Sequence, residues 1–195
     1  MNNRFDFDGA LKELFQRDRP SLLDRLTGGV AIRQFLNVEL PTVLERRADL
    51  VALLASEMVL HFELQSDNDG DLPYREGIYC ILLGQLYRRK VRQVVLYVGR
   101  AKMRMPEGVD LGTTQVAYEL IDIRDFDAGE LLKTGRAADS VLAILARGGG
   151  ARLPQIVRRV ARLKGAARER AMAQLLVLSG LRALSSRVEW EMKRM

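Results

Sequence analysis

The residues best equipped for chemistry sit at alternate positions of one short apolar run. The run VLHFELQS (59–66) sets His61, Glu63 and Gln65 among Val59, Leu60, Phe62 and Leu64. In a strand, alternate residues share a face, so the three polar side chains form one row on an otherwise apolar ribbon. Such a row is either the solvated side of an edge strand or a site. Upstream, ADLVALLASEM supplies a second arm with Asp49 near its start. A hairpin closed through Ala55-Ser56-Glu57 pairs Leu53 with Val59 and, continuing outward, Asp49 with Glu63 on one face. A two-residue turn would place those two acids on opposite faces. Directly opposed carboxylates repel unless a cation joins them. Mg²⁺ suits an oxygen-rich pair of this kind, because it takes one or two carboxylates and keeps waters and substrate phosphate for its other positions. An ion so held activates a water and neutralises charge building on a phosphate.

Several elements must position this row. The arms 48–54 and 59–65 are expected as strands around a tight turn near Ser56, followed by the polar loop SDNDGD. Pro73 opens a helical pattern in which Ile78, Ile81, Leu82, Gln85 and Leu86 fall on one stripe, running to the basic Arg88-Arg89-Lys90. VRQVVLYVG has the β-branched content of a strand in the middle of a sheet, and TTQVAYELIDIRD is expected as a weaker strand. Ahead of the hairpin, FDGALKELFQRD predicts an amphipathic helix capped by Asp6 or Asp8. A short helix SLLDRLTG follows, then an extended RQFLNVEL that Pro41 ends. From Asp127 on, the pattern is helical: AGELLKTG, DSVLAILARGG, LPQIVRRVARLKG and RERAMAQLLVLSGLRAL. The order predicts a mixed α/β core in which an antiparallel hairpin leads through a crossover helix into a further strand. The expected division is a domain over 1–127 and a basic helical extension over 128–195.

Hydrophobic residues make up 48% and charged residues 29% of the 195, the balance of a globular chain rather than a disordered one. No apolar run approaches a membrane span, and MNNRFDFDGA lacks the basic-then-apolar layout of a signal peptide; the cytoplasm is the expected location. The lone Cys80, in IYCILL, reads as a buried structural thiol. Residues 1–127 hold 17 Lys/Arg and 20 Asp/Glu, whereas 128–195 hold 14 against five, so the net charge of +6 divides into −3 and +9. A basic tail behind an acidic core suits a phosphate-backbone partner; the plainer reading is that arginine serves there as a helix former.

An acid, a gap of about a dozen residues, then acid-x-polar on an apolar strand resembles the PD-(D/E)XK nuclease superfamily. More narrowly, ERRADL (45–50), HFELQS (61–66) and LPYREGIY (72–79) are similar to the Rpn group, the recombination-promoting nucleases also labelled transposases. VRQVVLYVG matches the group's following strand and FDGALKELF its first helix; the resemblance covers roughly residues 5–130 and more loosely the tail. It implies a restriction-endonuclease-like α/β core, a mixed sheet flanked by helices, with a helical C-terminal extension. It implies DNA as partner and Mg²⁺ or Mn²⁺ as cofactor, held by Asp49 and Glu63 with the Leu64 carbonyl. Gln65 stands where the superfamily usually has lysine; an amide can hydrogen-bond the attacking water but cannot take its proton. Asp8 is the candidate acid on the first helix, with Glu39 as the alternative. Arg75 and Tyr79, one turn apart, are expected to reach a phosphate or brace the carboxylates, with Arg47 as a further DNA contact.

Other features exclude chemistry. His61 is the sole histidine, which rules out a histidine-pair zinc site, and a structural histidine is the plainer expectation for it. Asp67, Asp69 and Asp71 open like a calcium loop, but the twelfth position is Ile78 rather than glutamate. Gly148–Gly150 has no Lys-Ser/Thr after it and reads as a helix break. Two non-enzymatic alternatives stand beside the nuclease: a DNA-binding protein of the same fold with catalysis lost at Gln65, and an interaction module or homodimer built on the stripe Leu175, Leu176, Leu178, Leu181 and Leu184.

Overall fold

The structure, a computed structural model, describes residues 50–194. These fall within one compact unit, Arg47–Met195. The expected N-terminal helices, the extended RQFLNVEL, and Asp8, Glu39, Arg47 and Asp49 lie outside the described residues.

The hairpin comes first. β1 (Leu50–Leu53) pairs antiparallel with β2 (Val59–Gln65). Leu53 lies opposite Val59 and Leu50 opposite Phe62, the register of the three-residue connection. Leu54 N–H donates to the Met58 carbonyl at 2.9 Å and Glu57 N–H to the Leu54 carbonyl at 2.9 Å, with Glu57 at φ 63. After the acidic loop, α1 (Leu72–Tyr87) begins with Pro73 in its first turn and ends at Arg88 in the left-handed region. It crosses to β3 (Val91–Tyr97), which runs parallel to β2.

The expected strand over 113–125 is two strands. β5 (Gln115–Ala117) pairs with β4 (Gly108–Asp110) in a separate ribbon, and β6 (Glu119–Asp122) joins β3 in parallel. Tyr118 divides them: its N–H donates to the Glu107 carbonyl and its hydroxyl to the Pro106 carbonyl at 2.6 Å, so the chain changes sheets there. Among the described residues the main sheet has the order β1-β2-β3-β6, mixed and four-stranded, with β3 in its interior.

β3 is covered on both faces. Towards α1, Val95 and Tyr97 join Leu72, Met105 and Tyr118. On the other face Leu96 and Val98 pack on the C-terminal helices: α2 (Ala128–Lys133), α3 (Ala137–Leu142), α4 (Leu153–Ala161), α5 (Gly165–Gly180) and α6 (Ser185–Lys193). Asp127 caps α2, its carboxylate accepting from Gly129 N–H at 2.8 Å and Glu130 N–H at 3.3 Å. The helix expected through residues 139–149 stops at Leu142. Residues 143–146 turn tightly into the core, and a Cβ at Gly149 would lie 2.3 Å from the Ala143 carbonyl. The leucine stripe expected to dock a partner contributes to the core: Leu175 is fully buried, and Leu176, Leu178, Leu181 and Leu184, partly buried, pack against the same cluster.

The last helix expected, over 168–184, breaks at Ala183 (φ 54), and α6 restarts beyond it. At this break Arg182 donates to the carbonyls of Leu145 (2.8 and 3.3 Å), Val98 (2.9 Å), Gly99 (3.1 Å) and Leu181 (3.3 Å), binding the helical layer to the end of β3. Arg182→Ala strips a cationic donor from four carbonyls and is expected to lower stability by about 3 kcal/mol, read as a shift in urea midpoint. Arg182→Lys recovers only part of it, because an ammonium cannot span the fan that a guanidinium covers.

Candidate metal centre

β2 is an interior strand, and its polar row faces the covered side. Val59, His61 and Glu63 are buried beneath α1, with Gln65 half-buried at the rim, while Leu64 between them is exposed on the opposite face. α1 presents Leu72, Glu76 and Tyr79 to the sheet, spaced i, i+4, i+7. The parallel register sets His61 beside Gln93 on β3. Three elements therefore bring His61, Glu63, Glu76 and Gln93 together in the interior.

The imidazole lies between two carboxylates. Nδ1 of His61 is 3.2 Å from Glu76 Oε2, and Nε2 is 3.6 Å from Glu63 Oε2. Gln93 Nε2 donates to Glu76 Oε2 at 2.7 Å and to the Glu76 carbonyl at 2.9 Å, which fixes that side chain. The Tyr79 ring packs on His61 with centroids 4.8 Å apart. Burial disfavours a charged His61, but the nearby carboxylates of Glu63 and Glu76 outweigh it and raise the ring from 6.5 to about 9. His61 is thus fully buried as a structural histidine would be, yet flanked by two acids that favour its protonated form, with Gln93 Nε2 also 3.2 Å from Nδ1.

At the rim, Arg75 reaches Asp69 at 2.5 Å, Gln65 Oε1 at 3.1 Å and Glu63 Oε1 at 3.7 Å. Burial acts against the Asp69 carboxylate, but Asp71 N–H and Arg75 hold it below its ordinary value. Gln65 Nε2 donates to the Asp67 carbonyl at 3.0 Å, so its amide is engaged at both ends. Of the expected site residues, Glu63, Gln65, Arg75 and Tyr79 meet at one place. Tyr79 is only 7% exposed and braces His61 rather than facing outward. Burial and the Glu76 carboxylate push the Cys80 thiol up, away from the reactive thiolate.

His61, Glu63 and Glu76 each offer a ligand atom, all within 4.8 Å of one another, and could hold a metal ion. Glu76 and Gln93 escape the sequence patterns used above. Glu76 looks like a solvated helix charge, yet it falls between Leu72 and Tyr79 on the only stripe of α1 that is buried. The apolar stripe expected there faces away from the sheet, with Ile81 66% and Leu86 70% exposed. Gln93 is the single polar residue in the alternating set Val91, Gln93, Val95 and Tyr97.

No family model, curated protein or solved structure matches the chain. Among the described residues no helix is long and apolar enough to cross a membrane.

Proposed function

We propose that the chain is a divalent-metal-dependent DNA endonuclease of low sequence specificity, of the PD-(D/E)XK type that its Rpn-like motifs imply. One observation supports this most: β2 delivers Glu63 and Gln65 to the same covered face, beside Arg75, in the hairpin register on which an Asp49–Glu63 pairing depends. Asp49 and Glu63, with the Leu64 carbonyl, would hold Mg²⁺ or Mn²⁺. Such an ion would supply an activated water and charge neutralisation at the phosphate. Arg75 orients Glu63 and Gln65 and offers its guanidinium to a backbone phosphate. The excess of +9 over residues 128–195 holds the duplex without reading bases. Such cleavage fits recombination, mobile-element or defence processes in the cytoplasm.

A second reading has its own support. Both ends of the Gln65 amide are already hydrogen-bonded, to Arg75 and to the Asp67 carbonyl, which leaves little of it for a nucleophilic water. On that ground the fold would serve DNA binding without cleavage. Supercoiled plasmid incubated with the parent, Asp49→Ala and Glu63→Ala in Mg²⁺ or Mn²⁺ separates the two. Metal-dependent nicking by the parent that both substitutions abolish supports the nuclease. Salt-sensitive DNA retention with no nicking supports the binding protein.

A further inference from the structure

Buried polar atoms seldom lack a partner, yet three orphans fall on three side chains that each offer a ligand atom within 4.8 Å of the others. Nε2 of His61, Oε2 of Glu63 and Oε1 of Glu76 have no hydrogen-bond partner among the described residues. His61 and Glu76 are wholly buried, and Glu63 is 8% exposed. All three atoms are of metal-ligating type. A fourth orphan nearby, Arg75 Nε, is a donor and cannot ligate.

We propose that His61, Glu63 and Glu76 form a binding site for one first-row transition-metal ion, of the Mn²⁺ to Zn²⁺ class rather than Mg²⁺. Charge favours it. A divalent ion beside a neutral imidazole balances two buried carboxylates, Glu63 having Arg75 3.7 Å from its Oε1 and Glu76 lying wholly buried. Separation favours it as well, since Nε2 and Glu63 Oε2 stand 3.6 Å apart, within reach of a shared ion with bonds of about 2 Å. The donor set decides the metal: imidazole nitrogen suits zinc and its first-row neighbours, whereas Mg²⁺ prefers oxygen and retained waters. The surroundings supply the outer contacts that ligands require. Gln93 fixes Glu76 through its carboxylate and backbone, and the Tyr79 ring fixes the plane of His61. Glu63 is shared with the proposed Asp49–Glu63 pair, but the site is built from described residues alone and stands whether or not the chain cleaves DNA.

The chain has one histidine, so every ring signal of ¹⁵N-histidine-labelled protein comes from His61. Chelator-treated protein titrated with Zn²⁺ near neutral pH is expected to show a large shift of one ring nitrogen that saturates at one equivalent. Mn²⁺ should broaden the same signals, and millimolar Mg²⁺ should leave them in place. Glu76→Gln and Glu63→Gln, which keep the side-chain volume, should each weaken Zn²⁺ binding by at least about tenfold. Ring signals that do not move with excess Zn²⁺, or unchanged affinity in both variants, would overturn the site. The two proposals fail separately. A zinc-shifted ring in a parent that never nicks DNA sinks the nuclease and keeps the metal site, whereas Mg²⁺-dependent nicking with an unmoved ring does the reverse.

Discussion

Glu63→Gln is expected to reduce the initial rate of metal-dependent plasmid nicking by at least about 100-fold while leaving the fold intact. The magnitude follows from its position. Removing a residue that merely orients a metal ligand costs 10–100-fold, and removing a ligand should reach or exceed the upper figure. The fold survives because glutamine keeps the volume of glutamate, and Arg75, 3.7 Å from Glu63 Oε1, keeps its hydrogen bonds to Asp69 and Gln65. Taking one acid from between His61 and Arg75 leaves each cation another carboxylate, Glu76 for the first and Asp69 for the second. Rates across a Mn²⁺ titration, with a thermal midpoint for each protein, test this. A loss that high Mn²⁺ rescues locates the defect in metal affinity. A loss that persists at saturation locates it in the chemical step. Wild-type nicking by a well-folded Glu63→Gln protein would remove Glu63 from the metal set.

The parts legible in the sequence are those fixed by local rules. A three-residue connection dictates the hairpin register, and Leu53 opposite Val59 follows from it. β2 and β3 are visible as alternating and β-branched runs, and Pro73 marks the first turn of α1. What was not legible depends on tertiary pairing. His61 meets Gln93 only because β2 and β3 lie parallel in one particular register, and Glu76 joins them only because α1 crosses with that face inward. Ser179-Gly180 marks the end of α5 locally, but no local signal requires the left-handed turn at Ala183. It accompanies Arg182, which reaches carbonyls more than 80 positions earlier in the chain. Likewise, Tyr118 divides a strand-like run because the loop at Pro106 and Glu107 binds it from outside the run.

The largest effect on stability is expected at Glu76. In metal-free protein, Glu76→Ala should cost about 3–5 kcal/mol, because it leaves a buried imidazolium with only the longer contact to Glu63 and deprives the Gln93 amide of an acceptor. The same substitution should change the pH dependence. In the parent, the His61 ring rises from 6.5 to about 9 on folding, since Glu63 and Glu76 overcome the effect of burial. A group raised on folding contributes stability that is complete below its unfolded value and is lost as pH climbs through its folded value. For His61 the contribution is about 3 kcal/mol, present below about pH 6.5 and declining to nothing above about pH 9. With Glu76 gone, burial regains weight and the folded value drops, so the decline should begin lower and be smaller. Urea midpoints in chelator at about pH 6, 7.5 and 9.5 measure both effects. Parent stability that stays level across that range would mean that folding leaves the ring unshifted, and stability that rises from pH 6 to 7.5 would mean that the ring is neutral when buried. Glu76→Gln separates charge from volume: it should shrink the pH-dependent part as alanine does while avoiding the cavity that alanine leaves. If alanine and glutamine cost the same at low pH, the charge on Glu76 accounts for the effect.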